Sequence, residues 1–191
     1  MRAFITAPRG ARRRVAVARY RAALLLVCCA GLQAAPAQAD VTAGDLQIMG
    51  RALGFLDKPM SGEVTVGIVY ASDNAQSAQE AEELQRMLAG GLRVGSVLLK
   101  PVPVALEHLP QARVDVLFLT GGLGAQAKSV GIASSTRQLP CITADLSQVR
   151  SGRCAVGVSA QPTVEILVNR AAALASGTAF STLFRMMINE I

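Results

Sequence analysis

Thr120-Gly121-Gly122-Leu123-Gly124 follows the apolar run Val114–Leu119. A strand that enters a glycine-rich turn and then a helix is a common way to hold a phosphate, because backbone N–H groups converge there on an anion. A P-loop needs Lys and Ser/Thr after its last glycine, whereas Gly124 is followed by Ala125-Gln126-Ala127. The dinucleotide spacing G-x-G-x-x-G fails as well. The glycines are therefore read as permitting a tight strand-to-helix turn. A small anion or carboxylate on the turn's N–H groups stays open.

Other reactive residue types are sparse. The single histidine, His108, sits in the Pro-flanked stretch Val104–Pro110 with no marked partner, so a Ser-His-Asp or Cys-His arrangement has no evident base. Asp73 and Asp145 could meet as an acid/base pair, but carboxylates at turns and caps are common. No G-x-S-x-G, H-E-x-x-H or C-x-x-C motif occurs. The reading is a non-enzymatic protein with no cofactor and no metal.

The N-terminus bears on the compartment. Residues 1–21 carry seven arginines and no acid, and the short apolar core Ala22–Ala30 follows. Ala37-Gln38-Ala39 before Asp40 is a small-x-small cleavage pattern. Together these read as a secretory signal over residues 1–39, with a single domain over 40–191 and a periplasmic location. The short core and the Ala-Gln-Ala exit argue against a retained anchor. The chain has 19 Lys+Arg and 13 Asp+Glu, a formal charge of +6. Seven of the cations precede Asp40, leaving 12 against 13 acids, so the basic pI belongs to the leader. Nucleic-acid binding, which needs a basic face on the folded domain, is not supported. Two of the four cysteines also fall in the leader. Cys141 and Cys154 remain, either as a candidate disulfide or as two buried thiols that never meet.

The elements that would position these residues alternate along the chain. Thr42 and Asp45 make a loose capping box for a helix carrying Leu46, Met49, Leu53, Phe55 and Leu56. Val64–Tyr70 is a β-branched strand. Ser77 and Glu80 form an S-x-x-E box opening a helix to about Leu88. Val94–Leu99 is a second strand, with Pro101 and Pro103 at its exit and a long connector over Lys100–Gln111. Val114–Leu119 is a third strand, Ala125–Ala133 a helix, and Pro140–Ala144 a short fourth strand. Ala155–Ser159 and Thr163–Val168 read as an antiparallel pair. Helix then runs from Asn169, broken at Gly177 and continued from Phe180 to Ile188.

This alternation predicts an α/β three-layer sandwich, Rossmann/flavodoxin-like, with a mostly parallel sheet and a C-terminal antiparallel hairpin. In such sheets ligands sit beyond the carboxyl ends of the strands. Ser72, Asp73, Asn74 and Ser77 fall there after the first strand, Thr120, Gly121 and Gly122 after the third, and Asp145 after the fourth. They form a candidate ligand crevice, against the alternative that they are ordinary turn residues. Phe180, Leu183, Phe184, Met187 and Ile188 recur at helical spacing. Such a stripe is core in most helices, with a partner surface at Phe180, Phe184 and Met187 as the other reading.

The order of the second half resembles the YfiR-like periplasmic proteins. The residues that carry this are Pro140–Asp145, the strand from Cys154, Val164–Asn169, the alanine-rich Ala171–Ser176, Gly177 and Phe180–Met187. Phe55–Pro59 and Val114–Leu119 are similar to the family's opening and middle. The resemblance implies a periplasmic regulator, dimeric in its best-known member, that restrains an inner-membrane diguanylate cyclase and depends on disulfides. Two departures stand out. Val114 and Asp115 lie where the family often has a Cys, and Cys141 and Cys154 are more widely spaced. If the fourth and fifth strands formed a simple hairpin, the two cysteines would be roughly 13 Å apart, too far to bond. A curled loop or another pairing would close that gap.

Residues 64–145 are also similar to one lobe of the ABC-transporter substrate-binding proteins. This rests on Val66–Tyr70, then Asn74 and Ser77, then Asp115–Leu119 and Pro140–Asp145. That resemblance implies a small-molecule ligand, held weakly by one lobe or clamped by a homodimer. The two expectations are thus a regulator of an inner-membrane sensor or cyclase, and a small-ligand-binding protein.

Overall fold

A computed structural model describes residues 41–191. The signal reading falls on residues outside that range. Among the described residues, no helix is long and apolar enough to cross a membrane.

Helix α1 (Ala43–Gly54) begins at the expected box. The Thr42 hydroxyl accepts from Asp45 N–H, and the Asp45 carboxylate accepts from Thr42 N–H at 2.7 Å. The second Asp45 oxygen accepts from Ala160 N–H at 2.6 Å, tying the helix start to the far end of the sheet. Strand β1 (Gly62–Tyr70) leads to α2 (Ala75–Met87). A short β2 (Leu92–Val94) turns back into β3 (Val97–Ala105), followed by a 3-10 turn over Leu106–Gln111. Strand β4 (Val116–Leu119) runs into a second 3-10 turn (Gly121–Gln126) and α3 (Ala127–Arg137). Then come β5 (Cys141–Thr143), α4 (Leu146–Arg150), β6 (Val156–Ser159), β7 (Glu165–Val168), α5 (Arg170–Ala175), α6 (Thr182–Arg185) and β8 (Asn189–Glu190).

The strands form one sheet in the order β2-β3-β1-β4-β5-β6-β7-β8. The run β3-β1-β4-β5-β6 is parallel, and β6 pairs with β7 antiparallel, so the expected hairpin is present. Side chains alternate across the central strands and feed two cores. Val66, Ile68, Val116 and Phe118 pack on one side with Leu46, Met49 and Leu53 of α1 and Leu84 of α2. Val69, Leu117 and Leu119 pack on the other with Ala127 and Val130 of α3. This is the three-layer α/β architecture read from the sequence.

Several local expectations change. Pro101 and Pro103 lie inside β3 and do not end it. Strand β2 covers only Val97–Leu99, so the prolines fall where β3 is the edge of the sheet, which tolerates a missing N–H. The supposed connector is thus half strand and half 3-10 turn. The last helix shrinks to four residues, because Asn189–Glu190 pairs in parallel with Leu167–Val168 of β7. Phe180 sits instead in a bridge to Leu56.

The candidate disulfide is present. The fourth and fifth strands are not a hairpin, because α4 carries the chain over and returns it parallel, with Ile142 beside Val156. A parallel pair places both strand starts at one end. Cys141 and Cys154 therefore stand 5.2 Å apart at Cα and form a disulfide.

Candidate functional site

Neighbouring strands β1 and β4 send their chains to opposite sides. From β1 the connection through α2 leads to β3, and from β4 the connection through α3 leads to β5. The crevice beyond such a divergence is where open α/β sheets bind ligands. The loops there are Ala71–Asn74 and Thr120–Gly122, which contain most of the candidate residues.

The structure bonds four of these residues in two pairs, Ser77 with Thr120 and Asn74 with Gly122. Asn74, and not Ser77, caps α2, and its Oδ1 accepts from Gln76 N–H and Ser77 N–H. Asparagine three residues ahead of Ser77 already has the right distance for that role. Ser77 is freed to turn inward, where its hydroxyl accepts from Ala71 N–H at 3.0 Å. It lies 2.7 Å from Thr120 Oγ1. The Thr120 hydroxyl donates to Val69 C=O, so Ser77 is the donor to Thr120. Asn74 Nδ2 donates to Gly122 C=O at 2.8 Å. Glu80, the other half of the expected box, accepts from Gly121 N–H at 2.7 Å. The anion position left open on the glycine turn is thus taken by the chain's own carboxylate.

Two of the glycines have distinct reasons. A Cβ on Gly122 would stand 2.9 Å from Ser77 N, so only glycine lets the two loops meet. Gly124 adopts φ +49°, a conformation that side chains resist.

Outside this buried lock is an exposed rim. Ser72 Oγ donates to Glu107 at 3.0 Å, and Gln126 Nε2 donates to Asp73 at 3.3 Å. Hydrogen bonds from its own backbone and from Ser72 hold the Glu107 carboxyl below the usual glutamate range. Asp145 stands apart. It caps α4 by accepting from Ser147 N–H at 2.9 Å, and it shares no hydrogen-bond partner with Asp73. Among the described residues no hydrogen bond joins the suggested acid/base pair, and each carboxylate has its own partner. His108 is exposed in the first 3-10 turn.

Sequence reasoning missed Gln148. It is 2% exposed, and its Nε2 donates to Thr120 C=O at 3.0 Å, while its Oε1 has no partner among the described residues. Its only sequence signal is its place three residues after the cap Asp145. The suggested partner surface divides. Phe180 and Phe184 are buried, with ring centroids 5.2 Å apart, and Phe184 also stacks on Phe55 at 4.7 Å. Met187 is exposed, as are Leu183 and Met186. Among the described residues, no group of three or more His, Cys, Asp or Glu could hold a metal ion.

No protein-family model matches this chain, and no curated protein does. Solved structures do. A conserved domain protein from Vibrio cholerae is 12% identical at a TM-score of 0.54, covering 80% of this chain and 61% of its own. The ABC domain in complex with L-Trp from Streptococcus pneumonia is 11% identical at 0.54, covering 77% and 62%. A substrate binding protein with adhesive properties from Clostridium difficile, in its ligand-free open form, is 13% identical at 0.49, covering 67% and 54%. This chain thus spans less than two thirds of each. The likeness is one of fold.

Proposed function

We propose that this protein is an exported, non-enzymatic binding domain that takes a small molecule at the strand-edge rim. The observation that carries this is the lock between the loops after β1 and β4. Ser77–Thr120 and Asn74–Gly122 hold those loops as one unit at the divergence of the sheet. That unit presents Ser72, Asp73 and Gln126 to solvent on a preformed support, as binding sites in such folds require. The fold shared with the L-Trp complex supports a small zwitterion or amino acid as the first class to test. The leader pattern and the disulfide support an oxidising compartment, namely the periplasm.

The test is calorimetric titration of the purified soluble product of the full chain with a panel of free amino acids, tryptophan included. Asp73→Ala and Gln126→Ala remove rim groups without touching the buried lock. Asn74→Ala is a poor probe, because it also removes the α2 cap. Saturable binding that weakens about tenfold or more in the rim variants supports the reading. Absence of binding across the panel, or binding unaffected by both variants, overturns it.

A second reading is a regulator that restrains an inner-membrane sensor or diguanylate cyclase. The exposed Leu183, Met186 and Met187, close in sequence to the buried Phe184, favour it, since apolar side chains left in water mark protein contacts. A second copy of this chain would use the same surface. Intracellular cyclic di-GMP that rises when the protein is deleted supports restraint of a cyclase, and an unchanged level removes it.

A further inference from the structure

Beside α3 the surface opens into a cavity of about 580 Å³, walled by α3, the turn Ser151–Ala155 and α5. None of the strand-edge residues lines it, although Ala125 of its wall is next to Gln126 of the rim. Its size lies in the range that takes drug-sized molecules. The charge of its lining is one-sided. Lys128 and Arg153 both line it, and among the described residues no Asp or Glu does.

Arg153 is held in place. Its Nη1 donates to Gly124 C=O at 3.0 Å, and its own backbone oxygen stands 3.0 Å from where a Gly131 Cβ would be. The turn that carries it is anchored next door by Cys154 in the disulfide. Arg153 is half-buried, and the guanidinium has further N–H donors beyond the one that Gly124 uses. Lys128 is exposed and forms no ion pair among the described residues. The serines of the lining do not offset these cations. Ser134, Ser135 and Ser151 already donate to the backbone carbonyls of Leu139, Ile132 and Gln148. The remaining wall is apolar, with Ile132 58% exposed and Ala172 and Ala175 opposite it on α5. Two cations without counter-charge beside an apolar wall select an anion that has an apolar body.

We propose that this cavity binds a small amphipathic anion, a carboxylate or sulfonate carrying an aromatic or aliphatic body. Arg153 and Lys128 hold the charged end, and Ile132 with the α5 alanines meets the body. The probe is anilinonaphthalene sulfonate, titrated by fluorescence into the purified soluble product of the full chain. Phenylnaphthylamine, the same body without the sulfonate, is the neutral comparison. The expected result is one saturable site for the sulfonate and at least tenfold weaker binding of the neutral dye. Lys128→Gln with Arg153→Gln should weaken the sulfonate about tenfold. Lys128→Gln alone, at an exposed position that leaves the Arg153 anchor intact, should weaken it about threefold. Asp73→Ala, at a residue that lines no part of the cavity, should change nothing. Absence of saturable binding overturns the site, as does equal affinity for the neutral dye or unchanged affinity in Lys128→Gln. A loss in Asp73→Ala would place the dye on the rim and likewise overturn it. Thermal melts of each variant separate a lost contact from a lost fold.

Discussion

The hydroxyls of Ser77 and Thr120 meet at 2.7 Å inside the protein, although 43 residues separate them in the chain. Neither is exposed to solvent. Each also serves the backbone of β1 or the turn after it, through Ala71 N–H and Val69 C=O. They therefore join the two connections that diverge at the centre of the sheet. Ser77→Ala leaves the Ala71 N–H without its acceptor and should cost about 1–3 kcal/mol. Thr120→Val should cost a similar amount for the Val69 bond. A double-mutant cycle by chemical denaturation should show non-additivity of about 0.5 kcal/mol or more. Additive losses would mean that the hydroxyl pair contributes nothing of its own.

The disulfide closes a short loop around α4. On the chain-entropy view such a loop contributes about 3 kcal/mol. Cys141→Ser with Cys154→Ser should lower unfolding free energy by about 2–4 kcal/mol. Non-reducing peptide mapping of the wild-type protein should recover the two cysteine peptides joined. Recovery as two free thiols would contradict the pairing.

Phe184 and Met187 are three residues apart and have opposite fates. Phe184→Ala empties a stacked, buried position and should cost about 3–5 kcal/mol. Met187→Ser removes an exposed side chain and should change stability by no more than about 0.5 kcal/mol. Denaturant midpoints check both. A large loss at Met187 would mean that it is packed in solution, by another copy of the chain or by another surface.

Strand β8 is clipped to its neighbours by charge. Glu190 lies 2.7 Å from Arg185 Nε and 3.7 Å from Arg170 Nε. The hydrogen bonds from Arg185 hold the Glu190 carboxyl below the usual glutamate range. A carboxyl depressed in the folded state adds stability above its unfolded value and loses it as pH falls through the folded one. Protection of the Ile191 amide, which donates to Val168 C=O, should therefore fall on acidification from neutrality to about pH 3. In Glu190→Gln that protection should be lower at neutral pH and nearly flat with acidification. A pH response retained in Glu190→Gln would assign the effect to other groups.

The framework of the fold was legible because the signals for it are local. The β-branched run Val64–Tyr70 and the apolar run Val114–Leu119 declare buried strands, and Thr42 with Asp45 declares a helix start. The site was legible only in position. Ser77 and Glu80 have the spacing of a capping box, but Asn74 caps the helix, and both residues turn to the glycine turn more than 40 positions away. A hydrogen bond over such a separation leaves no periodicity to read. The parallel return to β6 was hidden because α4 has only five residues, too few to show a helical stripe. The last helix was overread for a different reason. Phe180, Leu183, Phe184, Met187 and Ile188 keep helical spacing, but pairing of Asn189–Glu190 with β7 outweighs that preference.

The two prolines of β3 bear on how this protein behaves in a crowd. Among the described residues, β3 has no neighbour on its outer side beyond Leu99, and a bare strand invites a foreign chain to zip onto it. Pro101 and Pro103 interrupt that ladder of donors at alternate positions, while the chain before them is already covered by β2. The outer edge of β3 is thereby made unattractive to stray strands at its own backbone. Two ring nitrogens at one open edge thus act against the strand-on-strand addition by which fibres grow.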